Sequence, residues 1–278
     1  RLAHHHGPIH MLGNQPAAPI ELDAETRHLD CYRANLTLSD RAYHCTAIGR
    51  ARALDGIEMM AIARGCSLAE MAARPGVTAI ISVNSPRRLD GAMAEGLMTM
   101  AEHGQPVSVT PFTLLGAMTP VTLPAALAQQ NAEALFGVAL VQATRPGAPV
   151  LYGAFTSNVD MKSGAPAFGT PEHAQAIVAA GQLARRYGLP YRATPCTASN
   201  AADGQAVQEQ MMSLWACAMG GANLWYHAAG WLEGGLLASF EKLVLDVEML
   251  ESLFAFLAVP EVDEASLGLD ALARVAPG

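Results

Sequence analysis

One junction recurs along this chain and restricts what it can fold into. Ala101-Glu-His-Gly-Gln-Pro-Val-Ser-Val109, Thr144-Arg-Pro-Gly-Ala-Pro-Val-Leu-Tyr152 and Arg185-Arg-Tyr-Gly-Leu-Pro-Tyr-Arg-Ala193 share one grammar. Each reads as a helix ending in polar or basic residues, a glycine for the left-handed position after it, a proline, then an apolar run. Gly76 and Gly220-Gly221 repeat the junction without the proline. The apolar runs at 9–14, 42–48, 78–84, 107–112, 149–155, 191–195 and 223–228 are strand candidates. Helical stretches lie between or after them at 51–73, 89–103, 123–143, 171–187, 205–219 and 236–257. Continuously apolar strands alternating with helices predict a parallel sheet covered by helices. An open dinucleotide-binding sheet would show a G-x-G-x-x-G turn or a P-loop after an early strand, and neither occurs. The expectation is a single (β/α)8 TIM-type barrel over residues 1–278, incomplete at both ends, with its eighth strand supplied from outside this sequence.

Composition narrows the function classes. A formal charge of -8, with basic residues gathered only in pairs such as Arg87-Arg88 and Arg185-Arg186, argues against a nucleic-acid partner. The richest apolar stretch, 132–143, is shorter than the roughly 20 residues that span a bilayer. The first residues carry no hydrophobic signal segment, and five widely spaced cysteines without CxxC read as reduced thiols, so a cytoplasmic location is expected. HExxH, compact His/Asp/Glu clusters and a G-x-S-x-G elbow are all missing, which predicts neither a metal site nor an esterase nucleophile.

From about Leu36 onward the chain resembles the trimethylamine methyltransferase family. The resemblance is carried by Leu36-Thr-Leu-Ser-Asp-Arg41, Gly49-Arg-Ala-Arg52, Pro120-Val-Thr-Leu-Pro-Ala-Ala-Leu-Ala-Gln-Gln-Asn-Ala-Glu133 and Arg145-Pro-Gly-Ala-Pro-Val-Leu-Tyr-Gly153. Asp160-Met-Lys-Ser-Gly164, Gln182-Leu-Ala-Arg-Arg-Tyr-Gly-Leu-Pro190, His227-Ala-Ala-Gly-Trp-Leu-Glu-Gly-Gly235 and Ser239-Phe-Glu-Lys-Leu-Val-Leu-Asp246 follow in order. It implies a barrel that presents a methylated amine to a separate corrinoid protein, with an N-terminal region and a C-terminal tail that this sequence lacks. Members acting on trimethylamine carry pyrrolysine, and this sequence has no non-standard residue. The resemblance is therefore to the pyrrolysine-free relatives, whose understood members use quaternary amines such as glycine betaine. The corrinoid-carrier signature D-x-H-x-x-G is also absent, which places the cobalamin on the partner.

The chemistry agrees with that reading. A quaternary ammonium loses a methyl group as a neutral tertiary amine, whereas unprotonated trimethylamine would have to leave as an amide anion. Aromatic faces hold quaternary cations with about 2 kcal/mol when desolvated. Phe112, Tyr152, Phe155, Trp225, Tyr226 and Trp231 fall at predicted carboxyl ends of strands, where barrel sites lie, although only one of Trp225 and Tyr226 can point inward. Polar candidates on the same face are Asn84, Thr110, Asp160, Lys162, Thr194, His227 and Glu233. His227 and Asp160 are the expected catalytic residues; Tyr152, Phe155, Trp225, Tyr226, Trp231, Asn84 and Glu233 are expected to contact substrate. Each has a plainer reading: a core histidine, a local Asp160–Lys162 pair, a helix-start charge at Glu233, aromatic packing between strands and helices. Two rival functions stay open, a barrel lyase or aldolase acting on a small carboxylate and a non-catalytic betaine-binding protein. With Lys162 and Lys242 the only lysines, a Schiff-base mechanism has little to draw on. A homo-oligomer is compatible with the sequence.

Overall fold

A computed structural model describes residues 1–13, 15 and 18–278; Asn14, the end of the first expected strand, lies outside the described residues. The chain opens with α1 (Leu2–His5), β1 (Met11–Leu12), α2 (Arg27–Leu38), β2 (Ala42–Tyr43), α3 (Arg50–Arg64) and α4 (Leu68–Ala73). It continues through β3 (Ala79–Val83), α5 (Gly91–Glu102), β4 (Val107–Leu115), α6 (Leu123–Thr144), β5 (Val150–Gly153) and β6 (Phe155–Asn158). Then come α7 (Pro171–Arg186), β7 (Tyr191–Ala193), α8 (Gly204–Gly220), β8 (Leu224–Trp225), β9 (Trp231–Leu232) and β10 (Leu237–Ala238). Three helices close it: α9 (Phe240–Leu257), α10 (Glu264–Leu267) and α11 (Leu269–Leu272).

The core is a mixed α/β architecture on a mostly parallel sheet. Its strands run β3-β4-β5-β7-β8, every neighbour parallel, with β6 continuing along β4. A parallel β1–β2 pair reaches this sheet through a His44–Thr78 bridge, where the Cys45 amide donates to the Thr78 carbonyl at 2.9 Å. Spatial order follows chain order without reversal. The Tyr226 hydroxyl lies 3.8 Å from the Met11 sulfur, so the chain just past β8 sits beside β1. Helices pack in sequence on one side, α3 with α5, α5 with α6, α6 with α7, α7 with α8 and α8 with α9. Among the described residues no helix is long and apolar enough to cross a membrane.

Four glycine junctions sit where expected, Gly104, Gly147, Gly188 and Gly221 all having positive φ, but Gly76 does not: α4 already ends at Ala73 with Arg74 as its C-cap. Other expectations need correction. The 51–73 helix is two, because Gly65 ends α3 in the left-handed region and Ser67 with Glu70 forms a capping box that starts α4. The 149–155 strand breaks at Ala154 into β5 and β6. The 236–257 helix begins only at Phe240, since Glu233, Gly234 and Gly235 turn with positive φ and Ser239 caps the helix start. Strands at 42–48, 191–195 and 223–228 shorten to two or three residues. Helix α2 was unforeseen because it buries only His28 and Tyr32, too little for an apolar stripe.

Small residues let α7 and α8 approach closely. A Cβ on Gly181 would lie 2.1 Å from the Gly220 carbonyl oxygen, which no rotamer can avoid. Gly181→Ala is therefore expected to destabilise by roughly 1–3 kcal/mol, although alanine is the better helix former by about 0.5–1 kcal/mol. A urea midpoint at or above the wild-type value would show that the two helices can part at little cost.

Candidate functional site

Side chains on the sheet face away from the helices converge on a cavity of about 550 Å³ at the carboxyl ends of the strands. Alternation along each strand decides which residues reach it. From β4, Thr110 and Phe112 point in, while Val109 packs outward against Gly137 of α6. From β7, Arg192 points in, while the Tyr191 hydroxyl donates to the Ile177 carbonyl of α7 at 2.9 Å. Gly153 is needed on the inner face, because a Cβ there would lie 2.1 Å from Thr110 Oγ1.

Arg192 dominates the electrostatics. It is 1% exposed, and its Nε and Nη1 have no hydrogen-bond partner among the described residues. Its guanidinium carbon stands 4.9 Å from the Tyr226 ring centroid and 5.7 Å from that of Phe155. Burial pushes its pKa down to about 10, so it stays charged at neutral pH. A buried charge without a counter-ion is expensive, and rigid aromatic faces offset only part of that cost.

His227, two residues past β8, adopts φ 60° and stacks flat on Trp231, with centroids 3.5 Å apart and planes 2° from parallel. Its Nδ1 is buried and has no hydrogen-bond partner among the described residues. Burial first, then the Arg192 charge and His44, hold its pKa well below the ordinary histidine value. His44, 5.4 Å from the Tyr226 ring, is pushed down to about 4, mainly by burial and further by Arg192. Both imidazoles are neutral. Phe112 and Phe155 meet edge-to-face at 5.0 Å, and Trp231 lies 6.5 Å from Phe155, forming an aromatic wall over the guanidinium.

The loop carrying His227 and Trp231 is fastened from beneath. Asp246 on α9, ion-paired with the fully buried Lys242, accepts the Gly230 amide at 2.8 Å. Burial lifts Asp246 to about 6 and lowers Lys242. Gln210 on α8 donates to the Ala228 carbonyl at 3.2 Å.

Of the expected site residues, Asn84, Phe155, His227 and Trp231 line the cavity, as do Thr110 and Phe112. Tyr226 faces inward but sits against Arg192 rather than in the cavity wall. Tyr152 does not contribute: it points to the helix layer, where its hydroxyl accepts from Gln130 at 3.1 Å and donates to Asn131 at 2.9 Å. Trp225 is also on the outer face, its indole N–H bound to the Ala222 carbonyl at 2.9 Å and its ring against Phe254. Asp160 is exposed in its loop and caps it, accepting from Ser163 Oγ at 2.6 Å and the Lys162 amide at 3.1 Å. Those bonds, that from Ser163 foremost, lower its pKa. Glu233 is exposed with φ 51° and stands outside the cavity wall. Sequence reasoning overlooked Arg192, Ser85 and Met118. Arg192 had a signal, a lone charge between apolar residues in a predicted inner strand.

The family model for trimethylamine methyltransferase (MTTB) matches residues 1–278. The chain belongs to the trimethylamine methyltransferase family. It is similar to the glycine betaine methyltransferase of Desulfitobacterium hafniense (strain Y51), 34% identical over 271 residues, 97% of this chain and 56% of that protein. It is also similar to the trimethylamine methyltransferase MttB of Methanosarcina barkeri (strain Fusaro / DSM 804), 34% identical over 206 residues, 74% of this chain and 41% of that one. The chain thus spans about half the length of the curated relatives it matches. Among the described residues of this family member, no group of three or more His, Cys, Asp or Glu is placed to hold a metal ion.

The buried imidazoles give a pH dependence with a definite sign. His44 and His173 are held at about 4 and His227 well below its ordinary value, chiefly by burial in each case. An unfolded histidine titrates near 6.5. Below that pH the unfolded chain takes up protons that the folded chain refuses. Stability should therefore fall as pH drops from about 6.5 toward 4, by up to about 1.4 kcal/mol per pH unit for each histidine. Urea melts at pH 7 and pH 5.5 measure this, and equal midpoints would contradict neutral buried histidines.

Proposed function

We propose that this chain is the (β/α)8-barrel catalytic part of a cytoplasmic methyltransferase. It would take a methyl group from a zwitterionic quaternary amine of the glycine betaine type and deliver it to a separate corrinoid protein. The barrel reading is supported by sequential parallel strand order, by helices packed in sequence on one side, and by the nearness of Tyr226 to Met11. The single observation that carries the substrate assignment is Arg192, a buried guanidinium without an ion pair among the described residues, at the edge of an aromatic wall.

A carboxylate supplies the counter-ion that Arg192 lacks, in a charge-assisted contact strengthened by low dielectric. Neutral His227, with its unpartnered Nδ1, adds a hydrogen bond without adding charge. Phe112, Phe155 and Trp231 then offer faces to the trimethylammonium head. Trimethylamine and its ammonium ion have no carboxylate for Arg192, and the cationic form meets its repulsion. Between the names of the two relatives, the site favours glycine betaine over trimethylamine.

The corrinoid supplies a Co(I) nucleophile that accepts the methyl group. A cavity of about 550 Å³ suits a small amine and is too small to enclose a corrin ring, which fits a cofactor carried by the partner. This chain's residues bind, orient and desolvate. Arg192 and His227 fix the carboxylate, the aromatic wall fixes the head, and one N–CH3 bond is left directed at the cavity mouth. That bond breaks with its electron pair going to nitrogen, so the product is a neutral tertiary amine and no acid is required.

Incubation with cob(I)alamin and a panel of glycine betaine, proline betaine, carnitine and trimethylamine tests this reading. Betaine turnover is expected, and turnover of trimethylamine alone would overturn it. Arg192→Met should weaken betaine binding roughly 100-fold or more, since a buried charge pair loses one partner. Phe155→Leu should weaken it about 5- to 30-fold through loss of the π face. Unchanged binding in Arg192→Met would remove the carboxylate site.

A further inference from the structure

Glu133 lies midway along α6, is 3% exposed and stands behind the cavity wall. Its carboxylate accepts from Ser85 Oγ at 2.5 Å, from the Arg87 amide at 2.7 Å and from Gln129 Nε2 at 2.9 Å. Gln129 donates in addition to the Met118 carbonyl at 3.1 Å. Ser85 follows β3 and Met118 follows β4, and both line the cavity. One carboxylate on a helix outside the sheet therefore holds two loops of the cavity mouth.

Its place relative to Arg192 gives this arrangement a second consequence. β3 and β7 are separated by β4 and β5, three strand spacings or about 14 Å along the sheet. The cavity thus has a bare positive charge on one flank and, behind the Ser85 hydroxyl on the other, a buried carboxylate. Among the described residues no carboxylate lines the cavity wall itself. Ser85 spends its proton on Glu133, so its oxygen lone pairs are left for whatever occupies the cavity.

We propose that Glu133 is a positioning residue that sets the cation end of the substrate site. It orients Ser85 as an acceptor-only neighbour of the ammonium head and opposes the field of Arg192 across the cavity. The assignment rests on the quaternary-amine reading of the same site. A zwitterion would then lie along the cavity dipole, carboxylate toward Arg192 and ammonium toward Ser85.

Binding of glycine betaine is to be compared with that of 3,3-dimethylbutyrate, which keeps the shape and carboxylate but has carbon in place of the charged nitrogen. Wild type should prefer the betaine. Glu133→Gln removes the charge at nearly constant volume and should weaken betaine binding about 5- to 10-fold, leaving the isostere within twofold. Ser85→Ala keeps the buried charge, removes the oxygen, and should lose part of the same preference. Hydrogen exchange at the Arg87 amide reports the clamp without any ligand, and should quicken in Glu133→Ala. Equal loss of both ligands in Glu133→Gln, or a preference retained in both Glu133→Gln and Ser85→Ala, would overturn the assignment. Wild type that binds the two ligands equally would instead overturn the amine reading, while Arg87 exchange still shows whether Glu133 clamps the loops.

Discussion

A guanidinium buried without a counter-ion among the described residues is the constraint on which the rest of this site depends. In a low-dielectric interior such a charge costs several kcal/mol unless something answers it. Arg192 is answered only in part, by the faces of Tyr226 and Phe155. The two histidines beside it, His227 and His44, are held neutral first by burial and further by its charge. A protonated imidazole there would add a second bare cation. The strain is local and electrostatic, and the proposed substrate carboxylate would relieve it, concentrating binding free energy at one end of the cavity.

The sheet makes that placement affordable. Strand side chains alternate, so Tyr191 and Ala193 bury apolar surface against α7 and α8 while Arg192 between them faces the cavity. The same alternation puts Tyr152 into the helix layer and leaves Gly153 to make room for Thr110. Core packing lies on the outer face and the cavity on the inner one. Each strand serves both, and a one-residue shift of register would exchange them.

This also explains what could be read from sequence. Glycine and proline fix backbone conformation locally, so the junctions at Gly104, Gly147 and Gly188 announced the helix-to-strand rhythm without tertiary information. Inward or outward direction is different, because it depends on strand parity relative to the core. A continuously apolar strand hides its parity, so Tyr152 and Trp225 looked as suited to the site as Phe155. Trp231 and His227 were visible as candidates, but their stacking arises from a left-handed backbone at His227 that no local signal requires. Arg192 was missed although one charge amid Tyr, Ala and Pro in a predicted strand is the pattern of a paid-for exception. Asp160 attracted notice as an acid in a loop of small residues, and there it serves the loop.

The three segments that complete the cavity are held in the same way. Glu133 of α6 ties the segment after β3, Gln129 beside it ties the segment after β4, and Asp246 of α9 with Gln210 of α8 ties the segment after β8. In each case a polar side chain on an outer helix satisfies backbone groups of a mouth loop. Loops on a barrel-like scaffold are otherwise its most mobile parts. In the proposed methyl transfer from a quaternary amine no acid or base is needed at the carbon, so the protein's contribution would be accuracy of placement. An aromatic wall tolerates some tilt, but in-line displacement does not. Buried carboxylates that grip amides and hydroxyls are stiffer tethers than apolar packing alone, since their bonds are directional and charge-assisted. The cost of burying them is offset by rigidity at the mouth, where the proposed reaction would need the methyl group to point outward.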